Sequence, residues 1–150
     1  MEINKLKFRT FPNVQLPVCE ESTVFLYKLV LYCEDVKQNK DFAGFIIRVK
    51  DIQYFLRQNS ITLIYNQKTE QHCDKNTIRF NGTTSAGWDL LRHLRNAIAH
   101  GTLTKSENSL KMIDEYNGKL TMYGNLETNL LLPLIDVIVS NRKKHKQENV

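Results

Sequence analysis

Residues 85–101 read SAGWDLLRHLRNAIAHG, and this segment predicts the third helix of the chain. Thr84 or Ser85 is a favourable N-cap for such a helix, and Gly101 is typical of a helix C-terminal stop. On a helical wheel of about 100° per residue, one face is apolar and the other is polar and cationic. The apolar face consists of Gly87, Leu90, Leu91, Leu94 and Ile98. We therefore expect a helix with one buried face and one face available to a partner or ligand.

Three other segments have apolar residues at helical spacing. The first runs from about Glu20 to Lys37, and the second runs from about Asp41 to Gln58. Asn125 is a suitable N-cap for a last helix from Leu126 to about Lys143, in which Pro133 marks a point where a kink can form. Four amphipathic helices of this length are enough to close a helical bundle.

Tyr116-Asn117-Gly118 is the strongest short hairpin signal, because Asn-Gly favours the tight turns that join antiparallel strands. Ser109–Glu115 and Lys119–Tyr123 are the expected strands. Ile61–Tyr65 fits either a strand or a last helical turn, and Thr77–Phe80 fits a short strand. The expected architecture is mainly α, a bundle of about four helices with one β-hairpin between the third and fourth.

Composition limits the class of protein. The 150 residues, 41% hydrophobic and 25% charged, suit one domain with a real core and exclude a disordered chain. No apolar run reaches the roughly 18 residues that cross a bilayer, and the N-terminus does not resemble a signal peptide. The three cysteines are odd in number and lack CxxC spacing, which argues against a disulfide framework and a structural zinc site. We expect a soluble, cytoplasmic protein that binds no membrane.

The net charge of +5 is concentrated at the C-terminus. Residues 141–150, NRKKHKQENV, form a basic polar tail that carries a surplus of three positive charges. Such a tail at a helix end is usually solvated and interacts favourably with the helix dipole. Contact with nucleic-acid phosphates is the alternative. The charge alone does not decide between the two.

The polar face of the third helix has an unusual composition. Asp89 is its only acid, and Trp88, the only tryptophan of the chain, lies on this face of the wheel. Exposed helix surfaces usually mix Glu with Lys, so an aromatic ring among arginines is typical of a covered surface, such as a dimer interface or a ligand platform. A plain solvent-exposed face is the alternative. The remaining polar residues are Arg92, His93, Arg95, Asn96 and His100.

The segment LRNAIAHG, residues 94–101, resembles the signature motif of the HEPN superfamily (higher eukaryotes and prokaryotes nucleotide-binding domains). That motif is an arginine, a polar residue and, after a short spacer, a histidine, here Arg95, Asn96 and His100. The hairpin after the motif is similar to one bacterial branch of the superfamily. The resemblance implies a helical bundle that forms a homodimer with the two motif helices facing each other.

The resemblance also implies a metal-independent endoribonuclease that needs no cofactor. His100 would transfer protons as general base or acid, Arg95 would bind the scissile phosphate, and Asn96 would position the motif or the substrate. Imidazole suits proton transfer near neutral pH, and guanidinium suits the charge that develops on a phosphate under attack by a 2′-hydroxyl. Arg92 and His93 would contact the substrate or the interface, with Trp88 at the interface.

A toxin, phage-defence or stress setting is implied as well, with RNA as substrate and an antitoxin protein as a further partner. Thr102 stands where a modifiable tyrosine is common in toxins that a nucleotidyltransferase controls, which disfavours that particular arrangement. Two alternatives remain open. One is a non-catalytic dimeric module of the same fold that binds a protein, a nucleotide or RNA. The other is an unrelated helical protein in which the motif is coincidental.

Overall fold

The structure, a computed structural model, describes residues 20–42, 44–71 and 74–143. Within these ranges the chain forms four α-helices, five β-strands and one short 3-10 helix. In chain order they are α1 (Glu20–Gln38), α2 (Lys50–Gln58), β1 (Thr62–Tyr65), β2 (Thr77–Phe80), α3 (Ala86–Ala99), β3 (Leu103–Ser106), β4 (Ser109–Tyr116), β5 (Lys119–Glu127), the 3-10 helix Thr128–Leu130, and α4 (Leu131–Ser140). None of these helices combines the length and the apolar character needed to cross a membrane.

The five strands form one mixed sheet in the order β1-β2-β5-β4-β3. Strands β1 and β2 are parallel, and all other neighbours are antiparallel. The fold is therefore α/β, and the prediction of a mainly α helical bundle with a single hairpin is wrong. Strands β1, β2 and β3 have four residues each, which is too short to show a clear alternating pattern in the sequence.

The predicted hairpin is confirmed as β4 and β5. Asn117 and Gly118 have φ values of 50° and 75°, the left-handed conformation that a tight hairpin turn requires. Strand β4 alternates as a half-buried strand should, with Leu110, Met112 and Asp114 buried. Strand β5 continues to Glu127, further than predicted, and pairs with β2 as well as with β4.

Helix α3 lies between the sheet and α1. Its apolar residues Leu90, Leu91, Leu94 and Ala97 are fully buried among side chains of the sheet and of the other helices. The core face of the sheet contributes Ile78, Phe80, Met112 and Met122. A helix that is covered on two sides buries much more than one stripe, and this explains why part of the predicted polar face is also inside the protein.

The helix predictions have mixed outcomes. Helix α1 and helix α3, with Ser85 as its N-cap, are confirmed. Helix α2 begins at Lys50 instead of Asp41. The last helix begins at Leu131 instead of Leu126, because Asn125 is a strand residue paired with Thr77. Pro133 then lies in the first turn of α4, where its missing N–H disturbs little.

The end of α4 is tied to α1 and to the segment that follows α1. Arg142 donates hydrogen bonds to the Tyr32 hydroxyl at 3.2 Å and to the Asp41 carbonyl at 3.0 Å, and it pairs with the Asp41 carboxylate. Its guanidinium also lies 4.8 Å from the Phe45 ring centre. This first basic residue of the predicted tail is therefore packed against the protein. Residues 144–150 of that tail lie outside the described residues.

Candidate functional site

A groove of about 510 Å³ opens at the end of the sheet where the parallel strands β1 and β2 terminate. Parallel strands bring their carboxyl ends to one edge, and the loops that follow them commonly form ligand sites. The loop after β2 borders the groove with Asn81, Gly82 and Thr83. Helix α3 supplies one wall, and the tip of the β4–β5 hairpin supplies another. The residues of α3 and of its C-cap that line the groove are Arg92, His93, Asn96 and His100.

His93 and Asp114 form a buried pair beneath this groove, exposed by only 2% and 5%. His93 Nδ1 lies 2.7 Å from Asp114 Oδ2, and His93 Nε2 faces the carbonyl oxygen of Asn81. Asn96 Nδ2 donates a second hydrogen bond to Asp114 Oδ2 at 3.1 Å. His93 Nδ1 thus faces a carboxylate, while its Nε2 lies close to both the Asn81 carbonyl oxygen and Arg92 Nη2, the latter at 3.5 Å.

The environment favours the charged form of Asp114. Burial alone would raise the pKa of its carboxyl group, but the hydrogen bonds from His93 and Asn96 outweigh burial and hold the pKa below its usual value. The positive charge of Arg92 acts in the same direction. This carboxylate therefore joins α3 to β4 at neutral pH, and it fixes the His93 and Asn96 side chains.

Asp89 connects α3 to the end of β1 and to the loop after β2. Its carboxylate is 1% exposed and accepts hydrogen bonds from the Tyr65 hydroxyl at 2.6 Å and the Thr84 backbone N–H at 3.2 Å. Burial and the Asp89 hydrogen bond raise the pKa of Tyr65. Arg92 Nη2 lies 3.7 Å from Asp89 Oδ1. Asp89 thus holds the loop after β2 and directs the Arg92 guanidinium, whose side chain is 39% exposed.

His100 is placed differently from His93. It ends α3, and its backbone N–H donates to the Asn96 carbonyl at 2.8 Å. Its side chain is exposed and borders the groove. The groove therefore has one accessible imidazole at its surface, at the C-terminal end of α3, and one imidazole fixed below.

Arg95 does not line the groove. Its guanidinium pairs with the Glu34 carboxylate on α1, and its Nη1 donates to Asn96 Oδ1 at 3.0 Å. The side chains of Arg95 and Glu34 are 28% and 37% exposed. Of the three motif residues, Asn96 and His100 thus border the groove, while Arg95 lies toward α1.

Trp88 lies in the core instead of on a polar surface. It is 3% exposed, and its ring centre lies 5.1 Å from that of Phe42 and 5.7 Å from that of Phe45. The helical wheel put Trp88 on the polar face because it took only one side of α3 to be covered. The second layer, formed by the chain around Phe42 and Phe45, buries this side as well, so the indole is not available to an interface.

Sequence reasoning missed the residues that face α3 from other elements. Asp114 had one local signal, since an acid occupies a position where the alternation of β4 predicts a buried side chain. Asn81 and Tyr65 had none, because their roles depend on which strands are neighbours. Cys33 is 3% exposed, and burial raises the pKa of its thiol to about 12, so it does not serve as a nucleophile.

No group of three or more His, Cys, Asp or Glu side chains in the described ranges is arranged to hold a metal ion. Comparisons with family models, with curated proteins and with solved structures find no match to this chain. The arrangement of the groove itself is therefore the basis for a function. It offers a cationic side chain, an accessible imidazole and a fixed polar floor.

Proposed function

We propose that the groove binds RNA and cleaves it by attack of the ribose 2′-hydroxyl, with imidazole performing the proton transfer. The observation that carries this proposal is the placement of exposed His100 and half-exposed Arg92 on one wall of a single groove. An imidazole and a guanidinium are the two groups that this reaction needs at neutral pH. The HEPN resemblance of residues 94–101 supports the same chemistry, although the helical bundle that it implied is contradicted by the sheet.

In the proposed reaction, His100 removes the proton of the 2′-hydroxyl as the 2′-oxygen attacks phosphorus. The bond from phosphorus to the 5′-oxygen breaks, a 2′,3′-cyclic phosphate forms, and the departing 5′-oxygen takes a proton from water in the groove. Arg92 binds the non-bridging oxygens and stabilises their growing charge. Asn96 and His93 act as positioning residues, because their polar atoms are engaged by Asp114, Arg95 and the Asn81 carbonyl.

The role assigned to arginine differs from the role that the resemblance implied. Both arginines lie near a carboxylate, Arg95 near Glu34 and Arg92 near Asp89, but Arg95 lies on the α1 side of the helix and does not border the groove. Arg92 lies one turn before Asn96 and borders the groove directly. We therefore assign the phosphate contact to Arg92 and a structural pairing to Arg95.

The first test is RNA cleavage by the purified protein in excess EDTA. We expect the wild type to produce ends with 2′,3′-cyclic phosphate, and we expect His100→Ala to lose about 100-fold or more of the rate. Arg92→Ala should lose a comparable factor. Arg57→Ala, which removes an exposed arginine at the end of α2, is the matched control and should cleave as the wild type does. Equal cleavage by His100→Ala and wild type would contradict the assignment.

The homodimer that the resemblance implies is part of the proposal, and sedimentation of the purified protein tests it. A second experiment asks whether two subunits share one site. Arg92→Ala and His100→Ala chains are mixed under conditions that exchange subunits. If each site combines Arg92 of one chain with His100 of the other, random pairing restores about a quarter of the wild-type activity in a two-fold dimer. No recovery means that both residues act within one chain.

A binding module without cleavage is the second candidate, and one observation favours it. Arg95, the arginine of the motif, is paired with Glu34. In catalytic members of the HEPN superfamily, the corresponding arginine is expected to bind the scissile phosphate. RNA binding without cleavage in the EDTA assay would support this candidate.

A toxin or defence setting in the cytoplasm is tested by expression in cells. Expression of the wild type should arrest growth and expression of His100→Ala should not. Co-expression of an antitoxin should restore growth.

A further inference from the structure

Tyr116 stands at the rim of the groove with its ring in solvent. It is 72% exposed, more than any other large hydrophobic side chain in the described part of the chain. It is the last residue of β4 before the turn, and it borders the groove together with Glu115 and Thr121. A single exposed aromatic is common on protein surfaces, so the position of Tyr116 and the support of its backbone carry the proposal.

An irregularity in the hairpin aims this ring at the groove. Asp114 pairs with Met122, but Glu115 pairs with Leu120, so Thr121 is an extra residue on β5. Thr121 Oγ1 donates to the Asp114 carbonyl at 3.0 Å and stabilises the bulge. A β-bulge bends the strand and re-aims the side chains around it. Glu115 and Tyr116 therefore both border the groove, although neighbouring residues of a regular strand point to opposite faces.

The support beneath Tyr116 is rigid. The turn that follows it has Asn117 and Gly118 in the left-handed conformation that matches the twist of the hairpin. Asp114, two residues before Tyr116, is fixed by His93 and Asn96. The backbone that carries the ring is consequently held in place at the border of the groove, so that binding has to order only the Tyr116 side chain.

We propose that Tyr116 is a stacking platform for a nucleobase and that the groove takes single-stranded RNA. A ring beside a phosphate-binding arginine is the arrangement by which proteins hold unpaired nucleotides, because every base offers a face for stacking. A base within a duplex is already stacked and paired, so it cannot reach the ring. This inference rests on the proposed function, and it specifies the class of substrate for the same groove.

The test measures binding separately from cleavage. A fluorescein-labelled 2′-O-methyl oligoribonucleotide of ten residues lacks the attacking hydroxyl, and its binding is followed by fluorescence anisotropy. We expect Tyr116→Ala to weaken binding roughly 5- to 100-fold, with Tyr116→Phe and Tyr116→Trp close to the wild type. Tyr54→Ala is the matched control, since Tyr54 is 59% exposed on α2 and does not border the groove. The same oligonucleotide in a duplex should bind more weakly.

The outcomes separate the two proposals. If Tyr116→Ala weakens binding while the wild type fails to cleave RNA in EDTA, the stacking platform stands and the ribonuclease proposal fails. Unchanged binding by Tyr116→Ala overturns the platform whatever the cleavage assay shows. Absence of binding by the wild type, or equal affinity for single strand and duplex, also overturns it. Circular dichroism of each variant verifies that the hairpin substitution leaves the fold intact.

Discussion

His93 on α3 and Asp114 on β4 are joined by a 2.7 Å hydrogen bond between Nδ1 and Oδ2, across 21 residues of sequence. Both side chains are buried, and Asn96 donates to the same carboxylate oxygen. A buried carboxylate is stable only where such partners compensate its lost hydration. This pair therefore fixes the angle between the helix and the hairpin, and the groove lies between them. The stability of the groove should follow the ionisation of Asp114.

Acid should weaken the protein through this pair. The pKa of Asp114 is lowered in the folded state, so its contribution to the free energy of unfolding is complete above the unfolded value of about 3.9 and is lost as pH falls through the folded value. Urea unfolding measured from pH 7 to acid should show a decline that Asp114→Asn reduces. At pH 7 that substitution should cost about 1–3 kcal/mol.

The control for this experiment is Asp136→Asn, which changes an exposed carboxylate on α4. It should keep the pH dependence of the wild type. A decline with acid that is the same in the wild type and in Asp114→Asn would show that the His93–Asp114 pair does not govern acid stability.

Local patterns were sufficient for the parts of the fold that are formed by neighbours in sequence. Helix α1, helix α3 with its Ser85 cap, and the hairpin around Asn117-Gly118 follow from spacing and turn chemistry. The parallel pairing of β1 with β2 joins strands separated by a polar connection, and no short-range signal encodes it. Asn125 was predicted as an N-cap from its residue type alone, but it is paired with Thr77 within the sheet.

The candidate site also contains a part that local sequence predicts and a part that it does not. One segment of sequence, α3 with its C-cap, was enough to single out these candidates: Arg92, His93, Asn96 and His100. Their partners come from the sheet and from the loops at its edge, and only the tertiary structure brings them together. Trp88 was predicted to lie at a surface and is in the core, packed on Phe42 and Phe45. A helical wheel describes the faces of a helix but not the number of layers that cover it.

The burial of Trp88 gives a spectroscopic prediction. As the only tryptophan of the chain, it should emit at short wavelength in the native protein and resist quenching by acrylamide. Trp88→Ala should lower the free energy of unfolding by about 3–5 kcal/mol, because it leaves a cavity beside Phe42 and Phe45. Trp88→Phe should cost less. Emission typical of a hydrated indole would contradict the placement in the core.

Gly82 should not tolerate a side chain. A Cβ at this position would overlap the carboxyl group of Asp89, which is itself held by Tyr65 and Thr84. Gly82→Ala should therefore destabilise the protein by about 1–3 kcal/mol, as overpacked substitutions do, and should displace the loop that borders the groove. Thermal unfolding and RNA binding measure the two effects.

Gly118 is the control position for the Gly82 experiment, because a side chain there has open space. A Cβ there meets no atom within 4 Å, and the φ of 75° is the source of its strain. Gly118→Asn should be nearly neutral, because asparagine tolerates the left-handed conformation. If Gly82→Ala were equally neutral, the contact between Asp89 and the loop would not be tight.

Substitution of Arg95 tests which arginine binds the phosphate, Arg92 as proposed here or Arg95 as the resemblance implied. Its pair with Glu34 is partly exposed, so Arg95→Ala should cost only roughly 0.2–1 kcal/mol of stability. Cleavage should change little, and Glu34→Gln should have a similar effect on unfolding. Urea denaturation and the EDTA assay are made on both variants. Loss of cleavage in Arg95→Ala, with the fold intact and Glu34→Gln active, would return the phosphate contact to Arg95.

Glu115 should oppose the binding of RNA. It borders the groove as an exposed carboxylate, and a phosphate placed beside Arg92 would be repelled by its charge. Glu115→Gln should therefore bind the 2′-O-methyl oligonucleotide more tightly, by about 2- to 5-fold at low salt, with the gain shrinking as salt screens the charge. Glu107→Gln is the matched control, because Glu107 is an exposed acid in the turn before β4, at the opposite end of that strand from Glu115. An equal gain in both variants would mean that the effect arises from net charge and not from the groove, and no gain in either would argue against a phosphate beside Glu115.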